Sequence, residues 1–418
     1  MAHLPRRRRW DVGLLLLLIS LPSARLLVAA AMRLDVRPQQ QAVYDELRAL
    51  ARDDPPFPTP EDPRQEKIQR AADALVRFAA LPFDEADRKQ LDEVIAGDRA
   101  PWELSATTLA AIARRDASIG EFLSLADVND RVRGIAVVPR SAWTDLGRHL
   151  AVVSIDQRSR GRDRVADGVC VTGIMFASRW PTFGDLGDIL DADAVMERLW
   201  RPCSENIDVD RDEFAALLEP RIDVTRAARR SAAATGVQFH LSVAGPLPAD
   251  VPLLRWTQPM RRPEDLLPRM ALADQWRTDW ACLAAEVERA GPPRQVDGTK
   301  VCTAFAAERK LAEQAVHRRR LERALIVGRV ALEDSVFDAG NWPGTLSELI
   351  DGDKRLAELL RDPVTMEPFA LVVHKPYATL MAVGAVSLSV RATRRDEANA
   401  EDAVVAPSRD WLGRVFNP

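Results

Sequence analysis

The run Val12–Met32, VGLLLLLISLPSARLLVAAAM, set directly after Arg6–Arg7–Arg8–Arg9, constrains this chain more than any other stretch. A helix crossing a bilayer needs roughly 20 mostly apolar residues. This run has that length, with Arg25 its only charge and Pro22 near its middle. The part before the proline, Val12–Leu21, also has the length of a signal-peptide core, and Val28–Ala29–Ala30–Ala31 offers small residues to a signal peptidase. Three readings fit: an uncleaved signal anchor, which is preferred, a cleaved signal peptide, and a buried helix of a soluble core. The last gives no reason for four arginines packed against five leucines. The first two imply one topology, because basic residues flanking such a segment stay in the cytoplasm. The expectation is a single-pass bacterial inner-membrane protein, with residues 1–11 inside and residues 33–418 in the periplasm or outside the cell. The alternative is secretion after cleavage.

Composition limits what the exported part can be. Hydrophobic residues make up 47% of the 418, enough to build a core and to exclude wholesale disorder. The net charge of −4 and a pI near 5.9 argue against a nucleic-acid partner, which calls for a basic excess. Four cysteines, Cys170, Cys203, Cys282 and Cys302, all lie beyond the apolar run. An even count in an oxidising space permits two disulfides. Proximity in the chain favours Cys282–Cys302, across a helical turn, together with Cys170–Cys203. No CxxC pair is present to suggest a redox or zinc motif.

Read in order, the chain is mostly helical. Residues 33–63 are expected to form a membrane-proximal helix over 38–52 and a linker, Asp53–Pro63, whose five prolines break any helix. Residues 64–298 read as a body of helical hairpins, irregular and repeat-like without a fixed period. Apolar stripes at helical spacing run through Leu75 and Phe78, through Leu91, Val94 and Ile95, and through Trp143, Leu146, Leu150 and Val153. Ser105 is read as the cap of a helix over 106–117, with a separate helix from Ile119 to Arg133. A short strand is expected within 236–245. The longest helical pattern, Thr299–Asp338, contains no proline. Residues 394–418 are polar and expected to be disordered, although Trp411 and Phe416 offer docking side chains. The fold expected is mainly α, with an N-terminal membrane helix, a helical-hairpin body and a small C-terminal α+β cap over 299–393.

The end of the long helix carries a recognisable pattern. Gly340–Asn341–Trp342–Pro343–Gly344–Thr345–Leu346–Ser347–Glu348–Leu349 has the form G-x-W-P-x-x-L-x-x-L. Asp362–Pro363 and Pro368–Phe369 follow, and then two β-rich runs, Phe369–Val373 and Thr379–Val383. Gly340 suits the residue just past a helix C-terminus, Pro343 suits the start of a short helix over 344–350, and the two runs suit an antiparallel hairpin. This tail, Gly340–Val383, resembles that of type II secretion pseudopilins. It is closer still to a class of uncharacterised bacterial envelope proteins that join a membrane anchor and a helical body to such a tail. The resemblance implies an envelope location and an association with secretion or surface assembly. The chain lacks a prepilin cleavage site and the glutamate inside its apolar helix, so a filament subunit is not implied.

No catalytic signature stands out. Asp208, Asp210, Asp212 and Glu219 match the ligand positions of a calcium-binding EF-hand loop, but Glu213 replaces the glycine its turn needs, and capping of a helix N-terminus explains the aspartates more simply. The histidines His149, His240, His317 and His374 form no metal-ligand spacing. The cluster His317–Arg318–Arg319–Arg320 reads as a solvated face paired with Glu313 and Glu322. No cofactor motif is present. The sequence therefore favours a non-enzymatic, envelope-anchored scaffold with protein partners. The alternative is an exported hydrolase-like enzyme assembled from scattered residues such as Asp208, Asp210, His149 and His240.

Overall fold

The computed structural model describes residues 64–125, 138–204, 222–232, 235, 278–279, 281–289, 300–374, 377–382 and 388–393. The membrane segment, membrane-proximal helix and linker expected over 12–63, the strand expected within 236–245, the calcium candidate and the tail 394–418 all lie outside the described residues. Two compact units divide the chain, one holding 56–227 with 309–418, the other holding 228–308 with the N-terminus.

The larger unit is mainly helical. Its elements are α1 (Gln65–Ala79), α2 (Glu85–Ala96), α3 (Ala106–Ser124), α4 (Arg140–Ser159), α5 (Asp163–Arg179) and α6 (Leu186–Ser204). Helices α2 and α3 start where the sequence supplies caps. Asp84 accepts the Asp87 N–H at 2.7 Å, and Ser105 accepts that of Thr108 at 3.2 Å. The break expected after Ala117 does not occur. Helix α3 runs through it, because Arg115, Ile119, Phe122 and Leu123 share one buried face. Helices α3, α4 and α5 meet over an aromatic cluster in which Trp143 lies 4.8 Å from Trp180 and Phe122 lies 5.6 Å from Phe176, centroid to centroid.

Helix α7 (Lys300–Ala339) matches the long unbroken pattern. From Arg309 onward it belongs to the larger unit. Between Leu321 and Glu333 it is buried on nearly every side, which is why its apolar residues show no single stripe. Ile326 and Val330 join the core of the helical body, while Leu321, Leu325 and Leu332 join the core of the cap.

Gly340 ends α7 in the left-handed region, φ +75°, and donates its N–H to Val336 O at 2.8 Å. The short helix that follows, α8 (Leu346–Leu349), is shorter than expected and is set by Thr345 and Glu348 more than by Pro343. Thr345 Oγ1 accepts the Glu348 N–H at 3.2 Å, and Glu348 Oε2 accepts the Gly344 N–H at 2.6 Å. After α9 (Lys354–Leu359) comes the Asp362–Pro363 turn and a three-stranded antiparallel sheet, β1 (Ala370–Val373), β2 (Tyr377–Ala382) and β3 (Leu388–Thr393), in the order β1-β2-β3. The hairpin expected from the two β-rich runs is present, with Val373 opposite Ala378. The third strand was not foreseen, because LSVRAT has an arginine at its centre and reads as polar. Alternation explains it: Val390 and Ala392 face the core while Ser389, Arg391 and Thr393 face out.

In the smaller unit, residues 281–288 and Lys300 onward are helical, and Cys282 and Cys302 are disulfide-bonded with Cα atoms 6.0 Å apart. The second disulfide, Cys170–Cys203, joins α5 to the end of α6 in the larger unit, with Cα atoms 5.6 Å apart. These are the two pairs that chain proximity favours.

Candidate functional site

A dense set of buried ionisable groups surrounds Asp145 on α4. This side chain is 1% exposed. Arg88 of α2 grips it with two hydrogen bonds, Nε to Oδ1 at 3.1 Å and Nη2 to Oδ2 at 3.0 Å. Arg148, one turn along α4, donates Nη1 to Oδ1 at 3.0 Å, and the Phe83 N–H donates to Oδ2 at 3.3 Å. Arg148 also spans back to α2, donating to both oxygens of Asp92 at 2.9 and 3.0 Å. Arg198 of α6 reaches Asp92 at 3.3 Å.

Arg115 of α3 is sealed beneath this network. Its guanidinium lies 3.4 Å from the Phe83 ring centroid, and Nη2 lies 3.8 Å from Asp145 Oδ2. Burial pulls its pKa down to about 10, against the opposing charge of Asp145. The hydrogen bond to Asp145 raises that of Arg88. Arg148 is pulled down by burial but raised on balance by its bonds to Asp92 and Asp145. Arg88, Arg115 and Arg148 remain cations at neutral pH. The arrangement ties α2, α3, α4 and α6 together through ion pairs, most of them charge-assisted hydrogen bonds.

His149 is the one described member of the hydrolase-like set. It is fully buried, with Nε2 2.8 Å from Asp116 Oδ1 of α3. Asp208, Asp210 and His240 lie outside the described residues, as do Asp212 and Glu219. Among the described residues no group of three or more His, Cys, Asp or Glu side chains could hold a metal ion, and no helix is long and apolar enough to cross a membrane.

The basic cluster on α7 is not a solvated face. Arg319 is buried, donating Nη2 to Ala192 O at 2.7 Å and Nη1 to Glu322 Oε2 at 3.2 Å. Arg318 lies 3.6 Å from Asp193 Oδ2. His317 turns to the cap, its Nε2 3.1 Å from the buried Asp362 Oδ1. Of the four, Arg320 alone is exposed. The sequence pattern misled because this stretch of α7 faces α6 on one side and the cap on the other, so its charges meet partners far away in the chain. Beside them Glu322, Arg319 and Arg323 line, with Ile174 and Met196, a cavity of about 10 Å³, the room one water needs. Burial raises the Glu322 carboxyl, and Arg319 opposes that rise.

The sequence signal for the Asp145 centre was local. Asp145 interrupts the stripe Trp143, Leu146, Leu150, and Arg148 follows it at i+3. What the sequence did not contain is that α2 supplies the complementary pair, Arg88 and Asp92, at i and i+4.

Comparison with family models, with curated proteins and with solved structures gives no match for this chain.

Proposed function

We propose that this is an exported scaffold, tethered to the membrane by residues 12–32, whose helical-hairpin body holds protein partners in the cell envelope. The observation that carries the reading is the Asp145 centre. Its two carboxylates, Asp145 and Asp92, are shared by arginines from four helices, which makes it a clamp for a fixed surface. Two disulfides in the region beyond the apolar run support export, since such bonds persist in oxidising compartments. The cap adds to the resemblance to pseudopilin tails: a long helix ends at Gly340, Trp342 and Leu346 pack onto the cap core, and an Asp-Pro turn leads into a small antiparallel sheet. Secretion or surface assembly is therefore the process in which partners are sought.

Crosslinking in intact membranes tests the reading. Recovery of a defined component of a secretion or surface-assembly apparatus, crosslinked in comparable amount, supports it. A chain recovered alone, at every crosslinker position on the exposed surface, counts against it. A reporter fused after Pro418 tests the compartment separately, with activity expected only from one that works outside the cytoplasm.

A further inference from the structure

Helix α7 meets α5 and α6 around a buried carboxyl, that of Glu322. Arg319, one turn earlier, donates Nη1 to Glu322 Oε2 at 3.2 Å. Its Nη2 is committed to α6, to Ala192 O at 2.7 Å and to Asp193 Oδ1 at 3.3 Å. Asp193 also draws Arg318, at 3.6 Å. Glu322 therefore shares its hydrogen-bonded cation with a second carboxylate. Burial raises the Glu322 carboxyl, as does Asp193, and Arg319 and Arg318 offset only part of that rise.

The cavity beside Glu322 has the size of one water, about 10 Å³. Ile174 of α5 and Met196 of α6 give it apolar walls, while Ser178 of α5 joins Glu322, Arg319 and Arg323 of α7 on the polar side. Ser178 donates its hydroxyl hydrogen to Ile174 O at 2.9 Å. That leaves the lone pairs of the oxygen as acceptors. A buried water makes about three hydrogen bonds to polar groups, and these four side chains supply donors and acceptors for them.

Such a water serves both states of the carboxyl. It donates to a charged Glu322 and accepts from a neutral one, and in either state a hydrogen remains for Ser178 Oγ. Without it the charged form would lose the one hydration contact the cavity has room for. With it the charge is tolerated yet still disfavoured by burial. Proton occupancy at Glu322 is thereby coupled to the packing of α7 on α5 and α6.

We infer that one water occupies this cavity, bridges Glu322 to Ser178, and makes the junction of α5, α6 and α7 a proton-sensitive lock that is tightest with Glu322 neutral. The charges that act on it come from two helices: Arg318, Arg319 and Arg323 on α7 and Asp193 on α6. Ser178 and Ile174 of α5, and Ile222, face the same cavity without charge. A carboxyl raised in the folded state holds its proton at a pH where the unfolded chain has lost it. The contribution of Glu322 to stability is therefore complete below its ordinary 4.5 and is lost as the pH rises from there through the folded value.

Urea unfolding of the full chain across a range of pH, followed by the fluorescence of Trp143 and Trp180 in the core that Ile174, Met196 and Ile326 share, tests this in the parent and two variants. Glu322→Gln keeps the shape of the side chain and cannot titrate, and every other titrating group is common to both chains. Relative to it, the parent's ratio of unfolded to folded chain should climb as the pH rises above 4.5, by up to about tenfold per pH unit, the effect of one proton. Ser178→Ala removes the acceptor that fixes the water. Charge at Glu322 is then less well tolerated, so the climb should continue to a higher pH than in the parent. A role of Ser178 confined to its bond with Ile174 O would change stability without moving that profile. A parent profile parallel to that of Glu322→Gln, or sloping the other way, overturns the lock. A Ser178→Ala climb that ends at the same pH as the parent's overturns the water bridge, and this comparison stands even if Glu322→Gln does not fold.

Discussion

Asp145 meets three guanidiniums, those of Arg88, Arg115 and Arg148, and its removal is a sharp single-residue test of the helical body. Asp145→Ala leaves Arg115 buried without its counter-charge and leaves Arg148 with Asp92 alone. Breaking a buried pair in this way costs about 3–5 kcal/mol, read as a lowered midpoint in urea unfolding. Arg88→Ala is expected to cost clearly less, since that side chain is partly open to water. Equal losses would show that the guanidiniums reach solvent without help from Asp145. At the other end of the unit, Asp362 gives a pH signature. Burial pushes its carboxyl up, but the N–H groups of Thr365 and Val364, with His317, more than offset this and hold it below its ordinary 3.8. A group lowered in the folded state binds more protons when unfolded. Its contribution is therefore complete above about pH 4 and is lost as the pH falls through the lowered folded value. Asp362→Asn keeps an oxygen for the two N–H donors but cannot titrate, so stability should fall less steeply with acid between about pH 4 and pH 2. An unchanged slope would remove Asp362 from the account. Neither residue was legible as a site in the sequence. Burial of a charge depends on partners 45 or 57 residues away, as His317–Asp362 and Arg88–Asp145 show, and periodicity carries no such information.

At the scale of elements the sequence was far more informative. Helices α1, α2 and α4 form where the apolar stripes run, and α7 matches the long unbroken pattern, because apolar periodicity is written locally in the chain. The exceptions have local causes too. At Ala117 and Ser118 no residue forbids a helix, so the buried face of α3 carried it on. At the cap, Thr345 and Glu348 start α8, and a capping pair at that spacing was visible in the sequence. Close helix contacts left no trace in the periodicity. A Cβ added at Gly147 of α4 would lie 2.5 Å from Val195 O of α6, so Gly147→Ala must push two helix backbones apart. A loss of about 1–3 kcal/mol is expected. Gly340→Ala meets no atom within 4 Å, and its cost is that of φ +75° alone, about 1 kcal/mol. Thermal unfolding of the two variants should rank them in that order. A harmless Gly147→Ala would mean that α4 and α6 slide freely.

At the scale of the whole molecule the two disulfides connect stability to compartment. Each lies within a single compact unit, Cys170–Cys203 in the larger and Cys282–Cys302 in the smaller. A protein with two such units need not unfold in one step, so each bridge is best tested against a signal from its own unit. For Cys170–Cys203 that signal is the fluorescence of Trp143 and Trp180, both buried in the same core as the two cysteines. The bridge spans 33 residues of chain. In the chain-entropy model, a loop of that length contributes roughly 3–4 kcal/mol by restricting the unfolded state. The double variant Cys170→Ala, Cys203→Ala should accordingly lower the urea midpoint of the tryptophan signal, and added reductant should then leave that signal unmoved. The parent protein should show the same drop on reduction, and non-reducing peptide maps of exported material should join the two cysteine-bearing peptides. If those peptides are instead alkylated as free thiols, the larger unit is held by its packing and the Asp145 clamp alone, and the chemical argument for an oxidising compartment falls back on the 20-residue Cys282–Cys302 span by itself.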